Sequence, residues 1–305
     1  MSNEWIENYL KAGQAVADAK KLARKIVTQG VSFLEIANKC EQKIYDCGCE
    51  LSFPINISLN EIAAHYSPSI DDETIVPEKG LLKLDMGSHY KGYIADSAIT
   101  INIDGDPELQ NYIDAADDGL EAAIKKFRPG TKLFELGEAI GNAIIMKGLR
   151  PITNLGGHEL KRFNLHAGPF IPNYKETRHN QVLKPGDAYA CEPFSTSGVG
   201  KVVNGKESYI YRFSKKRKKN MSYEHISYMN KIEKATKNLP FSPRLLLDKE
   251  IIPKKKINRI INIFLQRRIL DKYPVLIERT RAPVAQQEHT IILDEDGNTI
   301  VTTRE

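Results

Sequence analysis

Residues Leu81–Ile103 read LLKLDMGSHYKGYIADSAITINI, and the prediction of the fold starts from this stretch. Two apolar, β-branched runs stand on either side of a polar segment that contains glycine, which is a pattern typical of a β-hairpin. With the turn centred between Tyr90 and Lys91, the strands pair so that Asp85 lies directly opposite Asp96. The hairpin therefore predicts two carboxylates side by side.

The two aspartates are expected to share one face of this hairpin. Side chains alternate along a strand, so Leu84 and Met86 point to the other face. Like charges on facing residues repel, and a bound cation relieves that repulsion better at neutral pH than a shared proton does. The alternative is that both carboxylates point to solvent. A one-residue shift of the pairing would place them on opposite faces.

The bulk composition is that of an ordinary soluble globular protein. The chain has 305 residues, enough for one large domain or two smaller ones, with 41% hydrophobic and 27% charged residues. A net charge of +5 is mild and makes nucleic acid an unlikely main partner. No apolar run approaches the roughly 20 residues that span a bilayer, and the acidic N-terminal segment lacks a secretion signal. We expect a cytoplasmic protein that does not enter a membrane.

The cysteines do not predict a metal site or a disulfide framework. There are four of them, and Cys47-Gly-Cys49 has neither the spacing of a zinc site nor a second pair further along the chain. Reduced thiols are the expected state in a reducing compartment.

The chain before the hairpin predicts two helices and a strand. Residues 4–29 carry apolar side chains at helical spacing and are followed by glycine, which indicates an amphipathic helix. A second helix begins at Ser32, which has glutamate three positions later in a capping-box pattern, and runs to about residue 45. Residues 51–58 resemble a strand, and His65 follows them.

The chain after the hairpin repeats this order. A helix is predicted for residues 109–127, and Thr131 caps a shorter helix that runs to about Met146. Residues 151–155 are extended, and His158 follows them. We interpret this order as a diverged duplication, which predicts two pseudo-symmetric halves; the alternative is that helix–helix–strand order recurs by chance.

A basic segment then interrupts the strand pattern. Strands are predicted for residues 188–194, after which residues 209–272 are rich in Lys and Arg and include the run Lys215–Lys219. Helical patterning covers residues 223–239 and 257–270. We expect a helical insertion whose basic run is a solvated surface.

The chain returns from the insertion to the main sheet at Tyr273-Pro274. Residues 284–293 predict another strand, and a last strand ends at Thr303.

Several histidines and glutamates outside the hairpin are candidates for chemistry. Glu192 and Glu288 interrupt apolar strand patterns, where a buried carboxylate is costly unless it is paired, hydrogen-bonded or bound to metal. His65 follows Ala-Ala and precedes Tyr-Ser-Pro, and His158 and His166 lie in the glycine-bounded segment 157–168. The alternative for each glutamate is a solvated strand edge, and for each histidine a turn.

Five of these side chains form a set with metal-binding chemistry. Four carboxylates and one imidazole suit two divalent first-row ions better than a structural zinc site, which prefers thiolates and imidazoles. Two such ions can lower the pKa of a shared water and polarise a carbonyl group, so the expected chemistry is hydrolysis. The five side chains are Asp85, Asp96, His158, Glu192 and Glu288.

Five motifs carry a resemblance that covers essentially the whole chain in order. They are NEIAAHYSP (60–68), LDMG (84–87) with ADSA (95–98), NLGGH (154–158) with LHAGP (165–169), EPFSTSG (192–198) and QQEHT (286–290). Together with the helical insertion, these motifs resemble the type 2 methionine aminopeptidases in their archaeal form. The resemblance implies an α/β (α+β) pita-bread fold with two pseudo-symmetric halves, a central antiparallel sheet covered by helices, and an insertion subdomain. It implies a catalytic domain made of residues 1–208 and 273–305, with residues 209–272 as the insertion.

The resemblance also implies roles for the candidate residues. Asp85 would chelate one metal ion, Asp96 and Glu288 would bridge two ions, and His158 and Glu192 would complete the second. Glu192 would also accept the proton of the attacking water. His65 would lie near the scissile amide, His166 would hydrogen-bond the carbonyl oxygen, and Phe53 would form a wall of the methionine pocket.

The implied function is that of a methionyl aminopeptidase, a dinuclear metallo-exopeptidase and hydrolase. It would remove the initiator methionine from nascent proteins when the next residue is small, through attack of a metal-bridging water or hydroxide on the scissile carbonyl. Cobalt, manganese, iron and zinc all suit the ligands. The partners would be N-terminal methionine peptides; proximity to the ribosome stays open, and a monomer is expected.

Two other functions are compatible with the sequence. A proline-directed aminopeptidase or prolidase would share the fold, although those enzymes usually carry a large additional N-terminal domain. A non-catalytic relative that binds RNA or other proteins would be favoured by the basic insertion, although such relatives have lost metal ligands and all five candidates are present here.

Overall fold

A computed structural model describes residues 4–305 of the chain. Residues 1–3, part of the N-terminal segment considered for a secretion signal, lie outside it. The described residues form seven α-helices: α1 Glu4–Ile26, α2 Phe33–Asp46, α3 Pro107–Lys126, α4 Leu133–Met146, α5 Tyr223–Thr236, α6 Pro243–Asp248 and α7 Ile257–Gln266.

The strands are short except for those of the hairpin, its neighbour and the pair that flanks the insertion. They are β1 Glu50–Leu59, β2 Ile62–Ala64, β3 Leu81–Tyr90, β4 Tyr93–Asn102, β5 Arg150–Pro151, β6 Gly156–Glu159, β7 Phe170–Pro172, β8 Ala188–Cys191, β9 Phe194–Thr196, β10 Val202–Phe213, β11 Leu270–Glu278, β12 Val284–Gln286, β13 His289–Leu293 and β14 Thr299–Val301.

The two predicted halves are present. In the first half, α1 and α2 pack against the antiparallel sheet β1-β3-β4, with Ile36 and Leu84 in the shared core. In the second, α3 and α4 pack with the sheet β14-β13-β8-β6-β7 around Ile140 and Ile291. Both α2 and α4 contain 14 residues. The pseudo-symmetric arrangement inferred from the repeated element order is confirmed.

Ser32 is the N-cap of α2 as predicted, but the predicted capping box does not form, because Glu35 accepts a hydrogen bond from Lys39 instead. The N-cap of α4 also differs from the prediction. Ser32 Oγ accepts a hydrogen bond from the Leu34 amide at 3.1 Å, as an N-cap side chain does. Thr131 instead donates through Oγ1 to the carbonyl of Lys126 at the end of α3. The N-cap of α4 is therefore Lys132, one residue later than predicted.

Three predicted helices end earlier in the structure because their last residues enter turns. The first helix ends at Ile26 rather than at residue 29, and Gly30 sits in the following turn with a φ of 84°. The helix α5 ends at Thr236 because Lys237 and the next residue adopt left-handed φ values. The helix α7 ends at Gln266, and β11 begins within its predicted range.

The hairpin is present, but its turn lies one residue later than predicted. Lys91 and Gly92 form a two-residue turn with φ values of 52° and 91°, the backbone of a type I′ turn. Tyr90 therefore pairs with Tyr93, and Asp85 faces Ala98 rather than Asp96. The prediction that Asp85 and Asp96 face each other directly was therefore wrong.

The shared face of the aspartates is nevertheless retained. Moving the turn by one residue moves the pairing by two positions, which leaves every side chain on its original face. Asp96 pairs with Gly87, two positions from Asp85 on the same face. A Cβ at Gly87 would lie 2.1 Å from the Phe53 ring, so the ring occupies the space beside the aspartates.

A β-bulge in β1 directs two side chains toward the aspartates. Phe53 pairs with Gly87 and Asn56 pairs with Asp85, so β1 uses one residue more than β3 over this span. Ile55 packs in the core of the first half, whereas Phe53 and Asn56 line the cavity described below.

The three insertion helices follow β10 and precede β11 in the sequence and form their own hydrophobic cluster. Met229, Ile232 and Phe264 are buried in this cluster. The strands β10 and β11 pair with each other antiparallel, and β11 also pairs with β2 of the first half.

The predicted strand 284–293 is interrupted, because Gln287 and Glu288 separate β12 from β13. Likewise only Arg150–Pro151 of the extended segment before His158 forms a strand. None of the helices formed by residues 4–305 is both long and apolar enough to cross a bilayer. The four cysteines are unpaired.

Candidate metal centre

The candidate residues that are far apart in the sequence line one cavity. It has a volume of about 220 Å³ and lies between the two halves, with Ile210 and Pro240 from the insertion side on its wall. All eight side chains singled out in the sequence border it: Phe53, His65, Asp85, Asp96, His158, His166, Glu192 and Glu288.

The candidate ligands of the second half lie in short strands or directly next to them. His158 lies on β6, which pairs with β8 in the second sheet, and Glu192 follows β8 directly. Glu288 immediately precedes β13, whose first residue faces the last residue of β8. Glu192 and Glu288 therefore lie at the same end of two neighbouring strands, opposite the aspartates of the hairpin.

The closest group of potential ligand atoms comes from Asp96, His158 and Glu288. One ligand atom from each lies within 4.8 Å of the other two. His158 Nε2 is 3.5 Å from Asp96 Oδ2 and 3.9 Å from Glu192 Oε1. The imidazole therefore faces the carboxylates of both halves.

Hydrogen bonds satisfy only part of this acidic cluster. Gln286 Nε2 donates to Glu192 Oε2 at 3.2 Å and to Glu288 Oε2 at 3.5 Å. Oδ1 of Asp85 and Oδ1 of Asp96 are buried and have no hydrogen-bond partner. Buried polar atoms are nearly always satisfied, so these oxygens indicate a missing electropositive partner.

The electrostatics indicate the same partner. Burial raises the pKa of Asp85 to about 7. Burial and the charges of Asp85 and Glu192 raise the pKa of Asp96 well above its usual range. Burial and neighbouring carboxylates likewise raise the pKa of Glu192 and Glu288. Among residues 4–305, no lysine or arginine lines the cavity to offset these charges.

The donor set fits divalent metal ions. Carboxylate oxygens with one imidazole suit divalent first-row ions, and buried carboxylates are tolerated when they coordinate metal. Burial lowers the pKa of His158 well below its usual range, which keeps the imidazole in the neutral form that a metal requires.

Two further histidines lie beside the acidic cluster. The His166 ring centroid is 4.3 Å from that of His158. His65 has a φ of 68° and donates through Nδ1 to the carbonyl of Pro274 at 3.1 Å, which leaves Nε2 as the acceptor. Burial lowers the pKa of His65, and burial with the charge of His65 and of Arg212 lowers the pKa of His166 to about 4. Both rings are neutral near pH 7.

Three polar residues of the site were not predicted: Asn56 and Tyr273 line the cavity, and Gln286 hydrogen-bonds two of its glutamates. Gln286 precedes Glu288 by two positions, and strand periodicity could have placed both on one face. Tyr273 packs edge-on against His65, with ring centroids 5.5 Å apart, but only its place at the return from the insertion was noted. Asn56 reaches the cavity through the bulge, whose signal in the sequence is Pro54, since proline within a strand is found at sheet edges or bulges.

Comparisons with known proteins identify the family to which this chain belongs. The sequence pattern of metallopeptidase family M24 matches residues 7–230. The methionine aminopeptidase of Methanothermobacter thermautotrophicus is 39% identical over 298 residues, which cover 97% of this chain and 98% of that protein.

Solved structures share the fold. A methionine aminopeptidase from Thermotoga maritima superposes with a TM-score of 0.72 at 21% identity, covering 100% of this chain and 98% of its own. A thermophilic Arx1 superposes with a TM-score of 0.86 at 15% identity, covering 100% and 92%. The likeness confirms the expected pita-bread fold. The chain belongs to metallopeptidase family M24 and, within it, to the methionine aminopeptidases.

Proposed function

We propose that this protein removes the N-terminal methionine from peptides and new proteins whose second residue is small, with two divalent metal ions as cofactors. The observation that carries the proposal is the single buried cavity in which four carboxylates and an imidazole converge beside two neutral histidines. The full-length similarity to methionine aminopeptidases supports this substrate over the proline-directed alternative.

Five residues would hold the metal ions. Asp96 and Glu288 would bridge them, Asp85 would bind the first, and His158 and Glu192 would bind the second. Such ions would polarise the substrate carbonyl and lower the pKa of a water, which favours hydrolysis. We propose cobalt, manganese, iron or zinc, all of which accept these ligands.

The chain's own side chains would move the proton and hold the substrate. Glu192 would accept a proton from the attacking water, because its carboxylate borders the cavity beside the other candidate ligands, 3.9 Å from His158 Nε2. His166 would donate a hydrogen bond to the carbonyl oxygen as charge develops there, and His65 would orient the scissile amide. Both histidines border the same cavity as Glu192.

The apolar part of the cavity would bind the methionine side chain. Phe53, Leu155 and Phe170 line it together with Phe194 and Ile210. A flexible thioether packs well against aromatic rings, and a cavity of about 220 Å³ suits a single medium-sized side chain.

We also propose that residues 1–208 and 273–305 act as the catalytic domain and residues 209–272 as an accessory subdomain. The separate hydrophobic cluster of α5–α7 supports this division. The boundaries lie within the paired strands β10 and β11, so the subdomain is an outgrowth of a strand pair rather than a module on a linker.

Asp96→Asn tests the metal-dependent function. We expect turnover of Met-Ala-Ser to be abolished, because one bridging carboxylate is lost. The metal-free variant should be at least as stable as the metal-free unchanged chain, because one of four mutually repelling buried carboxyl groups has been neutralised. Metal analysis, thermal unfolding and peptide hydrolysis before and after chelation provide the measurements. Full activity of the metal-free variant would reject the proposal, as would preferential cleavage of Ala-Pro-Ala by the unchanged chain.

A further inference from the structure

A buried ion pair joins the insertion to the first half, away from the metal centre. Arg244 on α6 is only 4% exposed, and Glu41 on α2 is 8% exposed. Arg244 Nη1 and Nη2 donate to Glu41 Oε2 and Oε1 at 2.6 and 2.7 Å. This two-pronged geometry fixes both the distance and the angle between the two groups.

Both partners make further hydrogen bonds to the backbone. Arg244 Nε donates to the Pro68 carbonyl at 3.0 Å, and Nη1 also donates to Asn38 Oδ1 at 3.1 Å. Glu41 Oε1 also accepts the Ile55 amide at 3.1 Å. The pair therefore connects four segments of the chain: α2, β1, the loop after β2, and α6.

Three of these segments carry walls of the substrate cavity. Ile55 stands between Phe53 and Asn56 in the β1 bulge, and Pro68 follows His65 by three positions. Arg244 follows Pro240, which lines the same cavity, by four positions. A change at the ion pair would therefore reach the cavity through short, hydrogen-bonded stretches of backbone.

Phe53 forms one wall of the substrate cavity, and the packing on the other side of its ring is incomplete. A second cavity of about 30 Å³, enough for one water molecule, lies there and is lined by Glu41, Leu239 and Leu245. Phe53 packs with Leu239 in one hydrophobic cluster, and this small cavity interrupts the packing on the side of Glu41. The position of Phe53 depends on the segments that the ion pair connects.

We propose that the Glu41–Arg244 pair is a positioning device that sets the shape of the methionine pocket and so its selectivity for the first side chain. This inference rests on the proposed function. A buried ion pair adds little net stability compared with apolar residues of similar volume, whereas its two-pronged geometry specifies an arrangement. The pair therefore contributes to selectivity more than to stability.

The double variant Glu41→Leu/Arg244→Met tests this inference, because it removes both charges together and leaves no unpaired ion. We expect a modest fall in its unfolding midpoint, because the Ile55 amide and the Pro68 carbonyl lose their partners. We expect KM for Met-Ala-Ser to rise about tenfold with kcat within about threefold, and the preference for Met-Ala-Ser over Leu-Ala-Ser to fall about tenfold, the scale of discrimination in apolar pockets. Arg244→Lys keeps the positive charge but loses the two-pronged hydrogen bonding. Its KM and its Met-to-Leu preference should lie between those of the unchanged chain and those of the double variant.

Asp71→Asn is the matched control. Lys254 and Asp71 form a second ion pair between the insertion region and the first half, at 2.5 Å, but its side chains are exposed and it does not contact the cavity walls. We expect no change in selectivity for this variant. Titration calorimetry of free methionine and free leucine gives a second readout that does not depend on turnover.

The outcomes separate this inference from the function on which it rests. A stable double variant with unchanged KM, unchanged Met-to-Leu preference and unchanged methionine affinity would overturn the positioning role. An unchanged chain that neither cleaves Met-Ala-Ser nor binds methionine would overturn the proposed function. An equal selectivity loss in Asp71→Asn would also overturn the inference, since any disturbance of the insertion would then suffice.

Discussion

At the scale of single residues, environment decides what each group can do. Asp85 and Asp96 are ordinary acids in the sequence, and burial beside two glutamates turns them into candidate ligands with raised pKa values. The hairpin pattern made the two aspartates candidates, and the resemblance of their motifs to a known family implied their roles. The sequence could not supply Asn56 or Tyr273, since neither belongs to a chemical pattern that stands out before folding.

His166→Ala tests the role of one such residue. We expect kcat for Met-Ala-Ser to fall by roughly tenfold to ten-thousandfold, as the loss of a transition-state hydrogen-bond donor does. Metal content should not change, because His166 is not among the proposed ligands. Steady-state kinetics and metal analysis check the two statements separately. Loss of bound metal from this variant would show that its role has been misassigned.

His89 gives a prediction about pH. It is 4% exposed, packs against Phe163 and accepts the Gly92 amide through Nδ1. Burial lowers its pKa to about 4, with Glu50 acting against and Lys237 adding to that shift. The unfolded chain takes up a proton near pH 6.5 and the folded chain does not until about pH 4. Stability is therefore complete above pH 6.5 and falls as the pH drops toward 4.

His89→Gln should remove this pH dependence. Between pH 6.5 and pH 4, we expect the free energy of unfolding of the unchanged chain to fall by about 3 kcal/mol more than that of the variant. Glutamine keeps a side-chain acceptor for the Gly92 amide. Urea denaturation across this pH range measures the difference. Parallel pH profiles for the two proteins would contradict the prediction.

At the scale of elements, turn geometry separates what could be predicted from what could not. The hairpin was predicted from its apolar runs, but its register depended on whether Lys91 and Gly92 both adopt left-handed φ values. Nothing in the polar segment fixed that choice. The shared face of the aspartates survived because strand periodicity is more robust than turn position. Pro54 marks β1 as an edge strand or a bulged one, but it does not specify that Phe53 and Asn56 turn toward the cavity.

Gly92→Ala tests the observed turn. Gly92 has a φ of 91°, and a Cβ there would lie 2.4 Å from the Phe163 ring. We expect a loss of stability of about 2 kcal/mol or more, from left-handed strain together with the clash. Gly105→Ala is the control, because its φ is 71° and no atom lies within 4 Å of an added Cβ. Its expected cost is about 1 kcal/mol, from strain alone. Equal losses in chemical denaturation would contradict the turn described here.

At the scale of the whole molecule, duplication explains how distant residues meet. Each half contributes a helix pair on a sheet, and the acidic residues of both halves face one cavity at the junction. Element order in the sequence predicted the two halves. Depth and shape of the cavity could not be predicted, because they depend on the contacts of the insertion, among whose described ion pairs Glu41–Arg244 is the most buried.

The most direct test of the account is the anomalous scattering of manganese in crystals of this protein grown with Mn²⁺. We expect two anomalous peaks about 3.5–4 Å apart, within bonding distance of Asp85, Asp96, His158, Glu192 and Glu288. Manganese found elsewhere on the molecule, with no peak among these five side chains, would contradict it.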